Sequence, residues 1–171
     1  MNDAIFKKIK MLLLDVDGVL TEGEIIYGSD TEIKKFSVRD GLGIRLLMTS
    51  GVMVGIVTAR KSEALIKRCK DLGIETIFDG VSDKGKILER ICKDTGFAAE
   101  EIAFIGDDLP DIPLLKRVGI PLTVADSVDE VKKIAAFASS KNGGKGAVRE
   151  ICEAILKSQG LWEAATEKFF K

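Results

Sequence analysis

The sequence predicts an α/β protein with a parallel β-sheet and flanking helices. Short apolar runs recur along the 171 residues, helix-forming segments separate them, and several runs end directly in polar side chains. Buried parallel strands are typically short runs of large apolar residues. Open α/β sheets bind ligands at the carboxyl ends of their strands, so these polar side chains predict a functional site.

The first apolar run, Met11 to Leu14, predicts a buried strand that ends in two acids and a glycine, Asp15, Asp17 and Gly18. A carboxylate pair in this position favours a site. The alternative is a solvated turn, which is common for Asp-x-Asp-Gly alone. We favour the site because Asp15 follows the apolar strand directly.

Residues 23–38 predict a β-hairpin that would form a flap beside this acid pair. Ile25 to Tyr27 are strand formers, Gly28 to Asp30 suit a turn, and charged and apolar residues mix from Glu32 onward. A helix is predicted next, from about residue 42 to residue 49. Two arginines, Arg39 and Arg45, lie close to this flap in the sequence. Arginines are commonly solvated surface residues, but this closeness favours a role in substrate binding.

The second run, Val52 to Val57, ends in Thr58. A threonine hydroxyl and the neighbouring N–H groups at such a position suit a phosphate, although a simple helix cap is the alternative. Arg60 precedes the predicted helix 63–72 and Arg68 lies within it, and both are placed to contact an anion from one side.

Lysines occur where the macrodipole of a helix disfavours cations, immediately before a helix predicted over residues 87–95. A bound phosphate would compensate such a charge. Both Lys84 and Lys86 are candidates for this contact, and we favour Lys84.

The strand predicted from Ile102 to Ile105 also ends in acids, Asp107, Asp108 and Asp111. Three carboxylates within five residues repel one another unless a cation is present, and a solvated loop is the alternative. The first acid pair makes a cation site the better interpretation. Further elements are predicted at 110–118, 120–124, 127–135 and 147–157, followed by an irregular tail over 158–171.

Composition excludes several chemistries. The chain has no histidine, which rules out Ser-His-Asp triads, a histidine base and histidine-ligated zinc. Carboxylate oxygens favour Mg²⁺. A net charge of −1 gives no basic field for nucleic acid or a membrane surface, and no apolar run suits a bilayer span. The N-terminus lacks a signal-peptide pattern, and three widely spaced cysteines predict reduced thiols and a cytoplasmic location.

The ordered set Asp15-x-Asp17, Thr58, Lys84 and Gly106-Asp107-Asp108 resembles the four motifs of the haloacid dehalogenase superfamily. The resemblance implies a Rossmann-like sheet with those motifs at its strand ends. It implies that Asp15 is the nucleophile that forms an aspartyl-phosphate and that Asp17 is the acid/base. Thr58 and Lys84 would bind the phosphoryl oxygens. A Mg²⁺ site would comprise Asp15, the backbone carbonyl of Asp17 and Asp107, with two further acids nearby, Asp108 and Asp111.

A narrower resemblance covers nearly the whole chain. The residues 15–21, the hairpin, and the segments 38–41, 58–62, 106–109 and 143–150 are similar to the 3-deoxy-D-manno-octulosonate 8-phosphate (KDO 8-phosphate) phosphatase family, which acts in lipopolysaccharide synthesis. This sequence departs from the family pattern at Ala59, where we expect glycine. The resemblance implies a sugar-phosphate substrate contacted by Asp17, Ser37, Val38, Arg39, Asp40, Gly41, Arg45, Arg60, Arg68 and Lys84. Arg60 favours this eight-carbon substrate over a nine-carbon sugar acid, and a non-catalytic interaction protein on the same fold is the remaining alternative.

The resemblance also implies a capless homotetramer. The lengths of sequence between the motifs also support the absence of a cap, because the predicted hairpin, helices and strands already fill them and leave no room for a lid domain. We therefore expect a single domain over residues 1–171. A neighbouring subunit would then shield the site, with Arg39, Asp40 and Arg45 completing the adjacent copy's cleft.

Overall fold

The computed structural model describes residues 3–29 and 32–171. Its strands, in chain order, are β1 (Met11–Leu14), β2 (Ile26–Tyr27), β3 (Glu32–Ile33), β4 (Met53–Val57), β5 (Thr76–Phe78), β6 (Ile102–Ile105), β7 (Ile120–Thr123) and β8 (Phe137–Ala138). Six of them form one parallel sheet in the order β5-β4-β1-β6-β7-β8. β2 and β3 pair separately as an antiparallel hairpin. The predicted fold class is therefore confirmed.

Helices cover both faces of the sheet. They are α1 (Val38–Thr49), α2 (Glu63–Leu72), α3 (Ile87–Thr95), α4 (Ile112–Leu115), α5 (Asp129–Lys132), α6 (Ala147–Ser158) and α7 (Trp162–Thr166). One core cluster takes its helical residues from α1, α2 and α6, and the other takes them from α3, α4 and α5. Leu12 and Leu14 of β1 belong to the first cluster, whereas Met11 and Leu13 belong to the second. This alternation is the period-two pattern of a strand buried on both faces.

Four elements have the predicted bounds: β1, β6, α2 and α3. Their limits are set by local chemistry. At the end of α2, for example, Gly73 adopts the left-handed conformation (φ +82°), and its N–H donates to the carbonyl of Cys69 at 2.9 Å. Glycine is favoured at this position because it lacks the Cβ that disfavours positive φ.

The first helix begins earlier than predicted. α1 starts at Val38 rather than near residue 42, because Ser37 caps it and accepts a hydrogen bond from the N–H of Asp40 at 3.3 Å. The predicted helix over 110–118 was also wrong in extent. It is a 3₁₀ turn, Leu109–Asp111, followed by α4, and two prolines without N–H groups, Pro110 and Pro113, interrupt the helical hydrogen-bond ladder there.

Other expectations need correction or fall outside the described residues. The predicted helix over 127–135 is limited to α5, and β8 was not anticipated. Asp30, the last residue of the predicted hairpin turn, lies outside the residues that the structure describes. Within residues 3–29 and 32–171, no helix combines the length and apolar character that a bilayer crossing requires.

We expected an irregular tail over residues 158–171, and this expectation was wrong. The segment contains α7 and a 3₁₀ helix, Glu167–Phe169. Tertiary contacts hold its start in place. The Gln159 side-chain amide donates to the carbonyls of Phe6 and Ile9 at 3.0 and 2.9 Å. The Trp162 ring packs on the core, with the Lys157 ammonium 4.9 Å from its centroid.

Asp40 connects α1 to α6. Its two carboxylate oxygens accept hydrogen bonds from the N–H groups of Gly146 (3.3 Å) and Arg149 (2.8 Å), and the residue is 1% exposed. Carboxylates at a helix N-terminus satisfy otherwise unpaired donors and complement the macrodipole. Asp40 therefore acts as a cap for α6, and the structure does not present its side chain to a substrate.

We predict that Asp40→Ala lowers the free energy of unfolding by about 1–3 kcal/mol, because two N–H groups at the start of α6 lose a charged acceptor. Denaturant unfolding followed by circular dichroism measures this change. Asp94→Ala is the matched control, since Asp94 is an exposed helical aspartate that pairs with Arg90 on the surface. Equal stability of the two variants would contradict the capping role.

Candidate active site

Three adjacent strands bring the predicted motifs together. In the sheet register, Leu14 of β1 lies beside Ile56 of β4 and Ile105 of β6. Asp15 extends β1, and its N–H donates to the carbonyl of Ile105 at 3.0 Å. Thr58 and Asp107 follow the other two strands at the same edge. The parallel sheet thus converts three distant stretches of sequence into one site.

Lys84 reaches this edge from the segment before α3. Its ammonium lies 2.7 Å from Asp15 Oδ1 and 2.5 Å from Asp111 Oδ1, and the side chain is 4% exposed. Burial lowers the pKa of Lys84, but Asp15 and Asp111 outweigh that effect and raise it overall. Lys86 instead lies at the surface and pairs with Asp83. Of the two candidate lysines, Lys84 is therefore the one whose side chain lies at this edge of the sheet.

Asp111 supports the site through contacts of both its carboxylate oxygens. One carboxylate oxygen contacts Lys84, and the other accepts the N–H groups of Asp107 (2.9 Å) and Asp108 (3.3 Å). Both oxygens are therefore engaged with protein donors, which suits a supporting role. Asp108 is exposed and accepts the N–H of Leu109 at 2.7 Å, so it caps the following turn.

Negative charge is in excess at this edge. Carboxylate oxygens of Asp15, Asp107 and Asp111 lie within 4.8 Å of one another, and the Lys84 ammonium contacts two of them, Asp15 and Asp111. Burial raises the pKa of Asp107 to about 8, and the charges of Asp15, Asp111 and Asp108 add to the shift. Burial also raises the pKa of Asp15 to about 6, although Lys84 opposes that shift. A further positive charge would stabilise the ionised cluster.

A divalent cation fits this set of residues. The Oδ1 atom of Asp107 is buried and has no hydrogen-bond partner among the described residues. An unpaired buried carboxylate oxygen is costly unless it binds a cation. Hard oxygen donors are the ligands that Mg²⁺ prefers. Asp15 and Asp107 are therefore the side chains best placed to hold a metal ion.

Glycine at position 18 allows Asp107 to lie close to the β1 loop. Gly18 has φ +88°, and a Cβ built there would lie 2.0 Å from Asp107 Oδ2. Gly143 packs against the other side of this turn, where a Cβ would lie 1.7 Å from the Gly18 carbonyl oxygen. A side chain at position 18 would displace the Asp107 carboxylate, and one at position 143 would displace the backbone at Gly18.

Asp15, Thr58 and Lys84 line a cleft of about 260 Å³. Thr58 is 2% exposed, and its Oγ1 accepts the N–H of Arg60 at 3.4 Å. The hydroxyl proton of Thr58 is thus available to a bound anion. Ala59 also lines the cleft, so its methyl group stands where the resemblance leads us to expect glycine.

Asp17 lies at the mouth of the same cleft and contacts two cations. Lys34 of the hairpin forms an ion pair with Asp17 Oδ1, and Arg60 Nε lies 3.7 Å from Asp17 Oδ2. We did not predict the Lys34 contact from the sequence. The hairpin carries adjacent lysines, and nothing local distinguishes the one that turns inward.

The remaining predicted substrate residues lie elsewhere. Arg68 donates to the Ser37 carbonyl at 3.1 Å and lies over the Phe36 ring, so it fixes the base of the hairpin. Gly41 packs beneath it, because a Cβ there would lie 2.1 Å from Arg68 Nη2. Three others, Val38, Arg39 and Arg45, are exposed on α1 and do not line the cleft.

Comparison with known proteins identifies the class to which the chain belongs. Residues 73–151 match the family described as haloacid dehalogenase-like hydrolase. The matched region includes Lys84 and the acids that follow β6. The class of protein that the sheet, the acid cluster and this match define is therefore a haloacid dehalogenase-like hydrolase.

Relatives of named activity extend the match over most of the chain. KDO 8-phosphate phosphatase KdsC of Escherichia coli K12 is 40% identical over 160 residues, covering 93% of this chain and 85% of that protein. The Moraxella catarrhalis phosphatase, solved with magnesium, phosphate and KDO, has a TM-score of 0.94 at 40% identity and covers 98% of this chain and 97% of that chain. The cobalt-bound Haemophilus influenzae enzyme has a TM-score of 0.92 at 39% identity, covering 98% and 99%. The chain belongs to the KDO 8-phosphate phosphatase family and is a phosphomonoesterase.

We predict that Asp107→Asn removes the rise in melting temperature that Mg²⁺ produces in the wild-type protein, because the amide cannot replace a charged ligand. Its melting temperature without metal should not fall, since the substitution relieves repulsion with Asp15 and Asp111. Thermal unfolding at increasing Mg²⁺ concentration measures both effects. Asp108→Asn is the control and should keep the response, because its side chain faces solvent. An undiminished Mg²⁺ response in Asp107→Asn would contradict the metal site.

Proposed function

We propose that this protein hydrolyses KDO 8-phosphate to KDO and phosphate in a Mg²⁺-dependent reaction that contributes to lipopolysaccharide synthesis. The observation that carries the proposal is the buried contact between Asp15 and Lys84 beside the unpaired oxygen of Asp107. The family relatives named for this substrate support it, as does the Moraxella catarrhalis structure with magnesium, phosphate and KDO.

The first requirement of the reaction is to bring a phosphate dianion beside a carboxylate. Lys84 and the hydroxyl of Thr58 are placed to bind phosphoryl oxygens, and Lys84 also orients Asp15 through Oδ1. Asp15 and Asp107, with the backbone carbonyl of Asp17, would hold Mg²⁺. When bound, the metal supplies the positive charge that offsets the remaining repulsion.

Asp15 then attacks phosphorus through its carboxylate as the bond to the sugar oxygen breaks, which leaves a phosphoryl group on Asp15. Asp17, in its protonated form, gives its proton to the departing sugar oxygen. In the second half, Asp17 takes a proton from water as the water oxygen attacks phosphorus. The Asp15–phosphorus linkage breaks, phosphate leaves and the carboxylate is restored.

The proposed setting is the cytoplasm, where the free thiols of Cys69, Cys92 and Cys152 would remain reduced. We also propose that the whole chain acts as one catalytic domain. Between Asp15 and Thr58, the described residues form the hairpin, α1 and β4, and none of them covers the acid cluster as a separate lid domain would.

We predict that Asp15→Asn abolishes phosphate release from KDO 8-phosphate, because an amide cannot accept the phosphoryl group. Asp17→Asn should lower kcat by about 10²–10⁴-fold through loss of acid/base catalysis. Steady-state phosphate release with Mg²⁺ present measures both effects, and circular dichroism checks the fold. A nine-carbon sugar-acid phosphate should be a poorer substrate. Turnover by Asp15→Asn near the wild-type rate would disprove the nucleophile.

We propose further that the active assembly is a homotetramer in which the hairpins of different subunits meet. The hairpin exposes apolar side chains, with Tyr27 78% and Ile33 50% exposed, and the neighbouring Val38 is 80% exposed. Contiguous exposed apolar surface is commonly an interface, and a closed symmetric assembly buries it on every subunit. Arg39 and Arg45, which lie away from their own cleft, would then contribute to a neighbouring one.

We predict that Tyr27→Asp yields a species smaller than the wild-type assembly in sedimentation velocity and raises KM, because the charge opposes burial of the hairpin. Ile66→Asp, at an exposed apolar position on α2, is the control and should change neither quantity. A wild-type protein that is a fully active monomer at assay concentration would contradict the assembly.

A further inference from the structure

The Lys34 side chain is buried although it belongs to the hairpin, most of whose residues are exposed. Its side chain is 2% exposed, and its ammonium contacts Asp17 Oδ1 and lies 3.0 Å from Glu32 Oε1. Burial of an ammonium is costly unless carboxylates compensate it. Here two carboxylates do so, and one of them is the proposed acid/base.

Arg60 completes a ring of alternating charges. Its Nη2 atom lies 2.5 Å from Glu32 Oε2, and its Nε atom lies 3.7 Å from Asp17 Oδ2. The four groups come from three segments: the loop after β1, the hairpin and the loop after β4. Both oxygens of Asp17 therefore face cations from outside its own loop, and Glu32 holds those two cations in place.

The next residue provides an internal comparison. Lys35 has the same chemistry, but its side chain is 64% exposed and it pairs with Glu22, away from Asp17. The different partners of the two lysines indicate that the contact with Asp17 is specific to Lys34 and is not a general effect of two basic residues nearby.

We propose that Lys34 is a positioning residue that aims the Asp17 carboxylate into the cleft for proton transfer. The inference rests on the proposed function. Proton transfer needs the donor and acceptor atoms about 2.6–3.2 Å apart, and a displacement of about 1 Å can cost about 10²-fold in rate. Lys84 serves Asp15 and Asp111, so the two lysines have separate tasks: one supports the nucleophile and the other orients the acid/base.

The test compares Lys34→Met with Lys35→Met by steady-state phosphate release from KDO 8-phosphate. Lys34→Met should lower kcat by about 10–100-fold, the usual loss when a group that orients an active-site residue is removed. KM should stay unchanged, Lys34→Arg should recover part of the rate, and Lys35→Met should match wild type. Melting temperatures establish that each variant is folded. If Lys34→Met does not fold, Glu32→Gln replaces it, with a smaller loss of kcat expected.

A double mutant tests whether Lys34 acts through Asp17. In the Asp17→Asn background, Lys34→Met should cause no further loss of kcat, because the group that it positions has already lost its function. An equal loss in both backgrounds overturns the proposal. A raised KM with unchanged kcat also overturns it and assigns Lys34 to substrate binding. If wild type is active and the kcat of Lys34→Met equals that of Lys35→Met, only the inference about Lys34 is overturned. A wild-type protein that releases no phosphate overturns the proposed function as well.

Discussion

The burial of carboxylates around a single lysine is the constraint on which the rest of the site depends. Asp15, Asp107 and Asp111 approach within 4.8 Å of one another, and Lys84 neutralises part of their charge. Burial of a charge in a protein costs several kcal/mol unless it is paired, so the cluster is most stable when a cation supplies the remainder. The same arrangement would bind a metal ion and a phosphate side by side, since each added charge lowers the free-energy cost of burying the opposite charge beside it.

The parallel sheet makes this concentration of charge possible. β1 lies between β4 and β6, so the residues that follow all three strands meet at one edge. Short loops then fix the side chains by backbone contacts: the N–H groups of Asp107 and Asp108 donate to Asp111, and Gly18 leaves space for the Asp107 carboxylate. Repulsion between the acids is thus opposed by the rigidity of the hydrophobic core on both faces of the sheet.

The hairpin has two sides with different chemistry. On one side Lys34 and Glu32 form a charged ring with Asp17 and Arg60, and on the other the cross-strand pair Ile26 and Ile33 is exposed. In the proposed enzyme the first side would orient the acid/base and the second would meet another subunit. A small element could then link assembly to catalysis without a separate lid, because both sides belong to the same short pair of strands.

Sequence alone determined the features that depend on neighbouring residues. The apolar runs fixed β1 and β6, Gly73 ended α2, and the polar residues after the strands predicted the acid cluster, because these signals are local. Tertiary structure decided the partners. Asp40 caps α6 by accepting the N–H of Arg149, which lies 109 positions further along the chain. Lys34, and not its neighbour Lys35, contacts Asp17. These pairings depend on how the chain folds back on itself, and no local pattern of apolar or charged residues encodes that distance.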